Sequence, residues 1–202
     1  MEPLEKRREE ILDAAMLCLA RYGPIKSTVD DIARIMGMKK ASLYYYYKNK
    51  EAIFRDALER ERSRLFELIL QRVKSKRRVS TKLVTMIRIV HAYFRDRAEM
   101  LEFNVQAMQD NHAILRSLSQ ENRAQNMDFL ANIIREGIEK GEFRKVDEFK
   151  VAHALRLIFD TQRFELYHQM TERKHSREEY AELEENAVFI MELFLNGLKQ
   201  VN

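Results

Sequence analysis

Between Lys39 and Lys50 the chain reads KKASLYYYYKNK, a run of four lysines, one serine and four tyrosines around a single leucine. Such side chains suit ion pairing, hydrogen bonding and aromatic contact with an anion that also carries flat polar edges. A duplex offers both, as phosphates and as base edges. Two lysines at the start of a short helix oppose its dipole, so an anionic partner suits them better than solvent. Recognition helices read bases from their N-terminal residues. From Arg34 to Arg55 there are six basic residues (Arg34, Lys39, Lys40, Lys48, Lys50 and Arg55) and one acid, Glu51. The candidate DNA contacts are Thr28, Lys39, Lys40, Ala41, Ser42, Tyr44, Tyr45, Lys48 and Lys50. The competing reading is a solvated basic turn whose tyrosines pack on their neighbours.

These residues need elements to hold them. Ser27 and Thr28 are helix N-cap types, with Asp30 and Asp31 each three residues on. That is a capping box in two registers. Val29, Ile32, Ala33 and Met36 then share one helical face, and Gly37 can take the left-handed conformation that ends a helix. A second short helix fits Lys39–Tyr47, anchored by Leu43, and Ala33 is small where the two helices must cross. These spacings suit a helix-turn-helix. Upstream, residues 4–22 form a buttressing helix with Leu4, Ile11, Leu12, Ala15, Leu19 and Tyr22 on one face, stopped by Gly23-Pro24. Downstream, Lys50–Val73 reads as one long helix with Ile53, Phe54, Ala57, Leu58, Leu65, Leu68, Ile69 and Val73 inward.

Thr28-Val29-Asp30-Asp31-Ile32-Ala33, Gly37-Met38 and the run Leu43–Glu51 resemble the DNA-binding domain of the TetR family of bacterial transcription regulators. The run GIEKGEFR at Gly137–Arg144 is similar to the same family. The resemblance implies an all-α fold: an N-terminal three-helix helix-turn-helix DNA-binding domain (1–49) plus a C-terminal helical ligand-binding and dimerisation domain (50–202). It also implies that the helix from Lys50 links the two. The sequence departs from the family at Tyr47, usually Phe in the core, and at Ala41, often Gly. A buried Tyr47 hydroxyl would need a partner.

Composition agrees with an all-helical chain. Of 202 residues 46% are hydrophobic, and both prolines, Pro3 and Pro24, lie at the start. The net charge is +4, of which residues 1–55 hold +3 (11 basic, 8 acidic), as suits nucleic acid at one end. Cys18 is the sole cysteine, so no intramolecular disulfide forms, and its apolar neighbours predict a packed thiol. No signal peptide and no run of roughly 18 apolar residues is visible, so a cytoplasmic bacterial protein with no membrane span is expected. No phosphate-cradling glycine loop, glycine-flanked serine or His-Glu-x-x-His occurs, and the five histidines are scattered. His168, near Glu165 and Glu172, reads as a helix salt link rather than a metal ligand. No catalytic residue, metal or cofactor is expected, and the chain reads as a non-enzyme.

In the body, the basic run Arg72–Lys82 reads as a loop, and Ser80 or Thr81 as the cap of a helix to about Arg97. A short helix over 98–110 and a long one over 113–140, ended by Gly141, follow. The last two helices, 148–170 and 177–199, carry apolar residues on more than one face. A matching pair from a second subunit would cover them, giving a homodimer. Two recognition helices about 34–36 Å apart would then enter successive major grooves. By the resemblance, the body also encloses a small-molecule effector, apolar or amphipathic. Its candidate lining is Tyr93, Phe94, Met100, Phe103, Met108, Asn126, Met127, Leu130, Phe159 and Arg163. An inward Arg156 or Arg163 would favour an anionic amphiphile; otherwise a neutral or cationic lipophile fits better. Two functions follow: a dimeric, effector-released repressor on a double-stranded operator, or an all-helical protein-interaction module with a non-functional helix-turn-helix.

Overall fold

The structure, a computed structural model, describes residues 3–101, 123–172 and 176–200, with side chains except at 3, 97–101, 123, 163–172 and 177. All its regular elements there are helices: α1 (Pro3–Lys26), α2 (Val29–Met36), α3 (Lys40–Tyr44), α4 (Lys50–Lys74), α5 (Val79–Leu101), α6 (Arg123–Glu139), α7 (Glu148–Glu172) and α8 (Arg177–Leu198). The described residues fall into two compact units, with boundaries within α4 between Arg64 and Leu65 and within α5 between Asp96 and Arg97.

The first unit is built on α1. Its apolar face (Ile11, Ala15, Cys18, Leu19) is fully buried and packs with Ile32, Leu43, Ile53, Phe54 and Ala57. The unit therefore runs past the expected edge at residue 49, because the start of α4 supplies part of its core. Cys18 is packed as expected, and burial pushes its thiol up to about 11. The helical run of α1 breaks at Gly23, whose φ of 72° and ψ of 172° no other residue adopts cheaply. A single turn, Pro24–Lys26, follows. Ser27 is buried and donates its Oγ back to the carbonyls of Gly23 (2.6 Å) and Cys18 (3.0 Å). Arg60 of α4 ties to α1 through the Glu9 carboxylate (2.9 Å), the Glu9 carbonyl (3.0 Å) and Asp13 (2.7 Å).

The second unit closes over Ile69 and Val73 of α4, Leu83 and Ile87 of α5, Ile134 of α6, Leu155 of α7, and Met191 and Leu195 of α8. Gly141 (φ 70°) ends the α6 turn as expected, and the chain doubles back so that Phe143 buries against α6. A Cβ on Gly137 would stand 2.3 Å from the Phe143 ring. Arg144 N then donates to the carbonyl of Leu198 at 2.9 Å, fastening this turn to the end of α8.

Several boundaries differ from those expected. The basic run over 72–82 is not one loop: α4 reaches Lys74 and α5 starts at Val79, leaving only 75–78 outside helix. Val73 and Val79 are core residues, and their burial draws both helices inward. Neither Ser80 nor Thr81 caps α5. The carboxylate of Glu142 does so from a distance, accepting from Val79 N at 2.8 Å and Ser80 N at 3.3 Å. Helix α5 continues to Leu101, so no separate helix begins at 98. The rest of that expected helix, and the start of the one expected over 113–140, lie outside the described residues. No helix among the described residues is long and apolar enough to cross a membrane.

Candidate nucleic-acid interface

The helix-turn-helix is set at both ends by hydrogen bonds that its sequence encodes. Of the two capping registers, Thr28 takes it. Its Oγ1 accepts from Asp31 N (3.2 Å), while Asp31 Oδ2 accepts from Thr28 N (2.9 Å) and from Thr28 Oγ1 (2.7 Å). The Thr28 hydroxyl bond, ahead of its backbone bond and Arg34, holds the Asp31 carboxyl below its ordinary value. At the other end Gly37, at φ 61° and ψ 32°, makes the left-handed cap, and Met38 N returns to the carbonyl of Ala33 at 3.0 Å. Ala33 is itself buried.

Recognition helix α3 is shorter than the expected Lys39–Tyr47: it starts after Lys39 and relaxes into turns beyond Tyr44. Its sidedness is sharp. Leu43 is 0% exposed and Tyr47 8%, whereas Tyr44 is 49% and Tyr45 78% exposed. Leu43 and Tyr47 thus anchor the segment, and Ala41, Ser42, Tyr44 and Tyr45 face outward. Tyr45 stands edge-on to Tyr46, with ring centroids 5.3 Å apart. The Arg8 guanidinium sits 5.6 Å from the Tyr47 ring centroid. Burial, then Asp56, raises the Tyr47 phenol above its ordinary value.

The cations differ in their ties. Lys39 and Lys48 are exposed, with no ion pair among the described residues. Lys40 Nζ pairs with Asp30 of α2 at 2.7 Å, both side chains about half exposed. The Asp30 hydrogen bond raises the Lys40 ammonium above its ordinary value. Solvent screens so open a pair, which leaves it free to give way to a phosphate. Lys50 is different: its ammonium donates to the backbone carbonyls of Pro24 (3.0 Å) and Ser27 (3.1 Å). Sequence reasoning passed over Asn49, whose Oδ1 caps α4 by accepting from Ala52 N at 2.9 Å. The signal was present, since Asn is a strong N-cap type.

Of the expected effector lining, Tyr93, Phe94, Asn126, Met127, Leu130 and Phe159 are described, all in the second unit. Leu130 is a core residue, and Met127 and Phe159 pack against that core half-buried. Tyr93 and Phe94 are half-buried and meet edge-to-face at 6.1 Å, and Asn126 is half-buried. Phe103 and Met108 lie outside the described residues, as do the side chains of Met100 and Arg163. An open groove of about 580 Å³ lies between the start of α5 and the end of α8, bordered by Arg78, Thr85, Arg88, Glu192, Asn196 and Lys199. None of the expected lining residues whose side chains are described borders it. Among the described residues no group of three or more His, Cys, Asp or Glu could hold a metal ion.

This cap–turn–recognition geometry lies within residues 11–57, and those residues match the family model described as bacterial regulatory proteins, tetR family. Residues 11–57 carry a TetR-type N-terminal domain. That match supports DNA-binding transcriptional regulation in general terms for this chain. Over 52 residues it is 42% identical to the biofilm operon negative transcriptional regulator IcaR of Staphylococcus epidermidis, a match covering 26% of this chain and 28% of that protein. It is 25% identical to the fatty acid metabolism regulator protein of Bacillus subtilis over 75% of this chain and 77% of that one. A solved transcriptional regulator from Cytophaga hutchinsonii shares the fold, with a TM-score of 0.74, 23% identity, and coverage of 96% of this chain and 99% of the other.

Proposed function

We propose that this chain is a homodimeric TetR-type repressor that reads a double-stranded operator with the exposed face of α3 and leaves it when an amphipathic effector binds the second unit. The observation that carries the DNA reading is the sidedness of α3. Two tyrosines, a serine and flanking lysines are turned to solvent on a segment whose other side is locked by Leu43 and Tyr47. A core gains nothing from displaying Tyr45 at 78% exposure, whereas a base edge or sugar–phosphate gains contact area and a hydroxyl. Thr28, Lys39, Lys40, Ala41, Ser42, Tyr44, Tyr45 and Lys48 would supply these contacts.

The dimer reading rests on α7 and α8. Phe149 and Leu157 on α7, and Phe189, Ile190 and Leu193 on α8, are each 45–59% exposed. Apolar patches of this kind mark interaction surfaces. For the effector, Arg156 is already paired with Asp160 at 2.7 Å, which removes it as a ready partner for a carboxylate. The fatty acid metabolism regulator that the chain resembles over three-quarters of its length supports an amphipathic, acyl-like effector. The partly buried Tyr93, Phe94, Met127 and Phe159 would serve its apolar part. Such an effector releases the operator only if it binds the DNA-incompetent state better. A cytoplasmic, DNA-associated location follows from this reading.

The test is selection of a duplex from a random library, followed by titration of Tyr45→Ala against the selected site. We expect a loss of about fivefold or more, about 1–3 kcal/mol for one base contact removed, with an unchanged melting temperature. Parental affinity in that variant would remove α3 from the interface. Failure of the parent to select any duplex would favour a protein-interaction module instead.

A further inference from the structure

Lysine at the first position of a helix is electrostatically misplaced, because the helix N-terminus already carries positive partial charge. Lys50 occupies that position in α4. Its surroundings explain why. The half-buried ammonium lies 3.0 Å from the carbonyl oxygen of Pro24, 3.1 Å from that of Ser27 and 3.5 Å from that of Ile25. These carbonyls belong to the turn that follows the break in α1 at Gly23 and lead directly into Thr28, the cap of α2. An ammonium has three donors and no acceptor, so three convergent carbonyls match it fully.

The contact to Ser27 spans 23 positions. Between its ends lie α2, the Gly37 turn and α3. Lys50 thus ties the start of the helix-turn-helix to the residue that follows it, and the whole reading segment hangs from that knot. A side chain spent on three carbonyls does not reach a phosphate without abandoning them. We propose that Lys50 is a positioning residue for DNA reading: it holds the α1–α2 turn and the start of α4 together, so that α3 is presented in register, and it makes no phosphate contact of its own. This rests on the DNA reading above, and it departs from the expectation that Lys50 is a direct contact.

Salt dependence separates the two roles, since removing one phosphate-binding cation makes the slope of log K against log salt shallower by about 0.9. Operator titrations of parent, Lys48→Gln, Lys50→Met and Lys50→Arg would be run from low to moderate salt. We expect the slope of Lys48→Gln to be shallower by about 0.9. We expect Lys50→Met to bind roughly tenfold more weakly at every salt with the parental slope, the size typical of a positioning loss of about 1.4 kcal/mol. Lys50→Arg keeps the charge, but its planar fork cannot aim three N–H groups at one cluster of carbonyls. It should therefore weaken binding too, whereas a phosphate contact would survive that change. Amide hydrogen exchange of the DNA-free protein gives an arm independent of any duplex. Exchange at Ser27 and Thr28 should quicken in Lys50→Met and Lys50→Arg. A slope shallower by about 0.9 in Lys50→Met, or parental affinity in Lys50→Arg with parental exchange in both variants, overturns the proposal. If the parent selects no duplex, the DNA reading falls, and the exchange arm still decides whether the knot exists.

Discussion

Two glycines carry opposite lessons about the same residue type. Gly37 is required by its backbone: φ is +61° and nothing lies within 4 Å of a Cβ built there. Gly37→Ala should cost about 1 kcal/mol, the left-handed penalty alone. Gly137 sits inside α6, where alanine would ordinarily gain up to about 1 kcal/mol of helix propensity. Yet its Cβ would stand 2.3 Å from the ring of Phe143, which is only 2% exposed. The ring has no room to swing, so Gly137→Ala should destabilise by roughly 1–3 kcal/mol, as overpacked cores do. Urea unfolding of both variants checks the order. A stabilised Gly137→Ala would mean that the Phe143 turn is loosely held.

Among the helices, α5 shows how an element is completed from outside itself. Its first two amide groups are satisfied by Glu142, 62 and 63 positions away, in the turn after α6. The same turn sends Arg144 N to Leu198 at the end of α8. The α5 and α8 ends are thus fastened to one short segment. Lys82 reinforces it through Glu136, at 2.6 Å, and Lys140 bonds the same carboxylate at 2.6 Å. The Lys140 and Lys82 hydrogen bonds hold Glu136 below its ordinary value. Glu142→Ala leaves two helix-end amides without their acceptor, and should cost about 1–2 kcal/mol. Hydrogen exchange would place the damage. Val79 and Ser80 amides should exchange faster, while those of α2 and α3 keep their parental rates. Uniform acceleration across both units would argue against a local cap.

At the scale of the molecule, the exposed apolar residues of α7 and α8 predict association. Phe189→Glu combined with Leu193→Glu puts charge on two of the largest exposed side chains, at 59% and 56% exposure. Sedimentation should then find a monomer, and operator affinity should fall steeply because two half-sites are no longer bound together. A parental dimer in this variant would move the interface elsewhere. Acid sensitivity is a second global property. His91 is buried, its Nδ1 has no hydrogen-bond partner among the described residues, and burial lowers its pKa below the ordinary 6.5, only partly opposed by Glu184. Below that value the unfolded chain binds a proton that the folded chain refuses, so stability rises with pH across this window and falls as pH drops from 6.5. Between pH 7.5 and 5.5 the parent should lose more stability than His91→Leu. Equal losses would show that His91 takes up its proton without opening the fold.

The helix-turn-helix was legible because its determinants are local. A cap and its acid three residues on, a left-handed glycine, and an anchor at Leu43 act within one or two turns, so residue order alone fixes them. The α6 stop at Gly141 was readable for the same reason. What order could not reveal are contacts between residues far apart in the chain. Lys50 looks like one more cation on a basic rim until the carbonyls of Pro24 and Ser27 are placed around it. Glu142 looks like a surface acid and is the cap of α5. The run over 72–82 looks like a loop because six of its side chains are basic, but Val73 and Val79 decide its course by entering the core. Charge pattern reports what a segment shows to solvent. Only the packed structure decides which carbonyl, amide or ring that segment meets, since closing a long loop of chain depends on every core contact made in between.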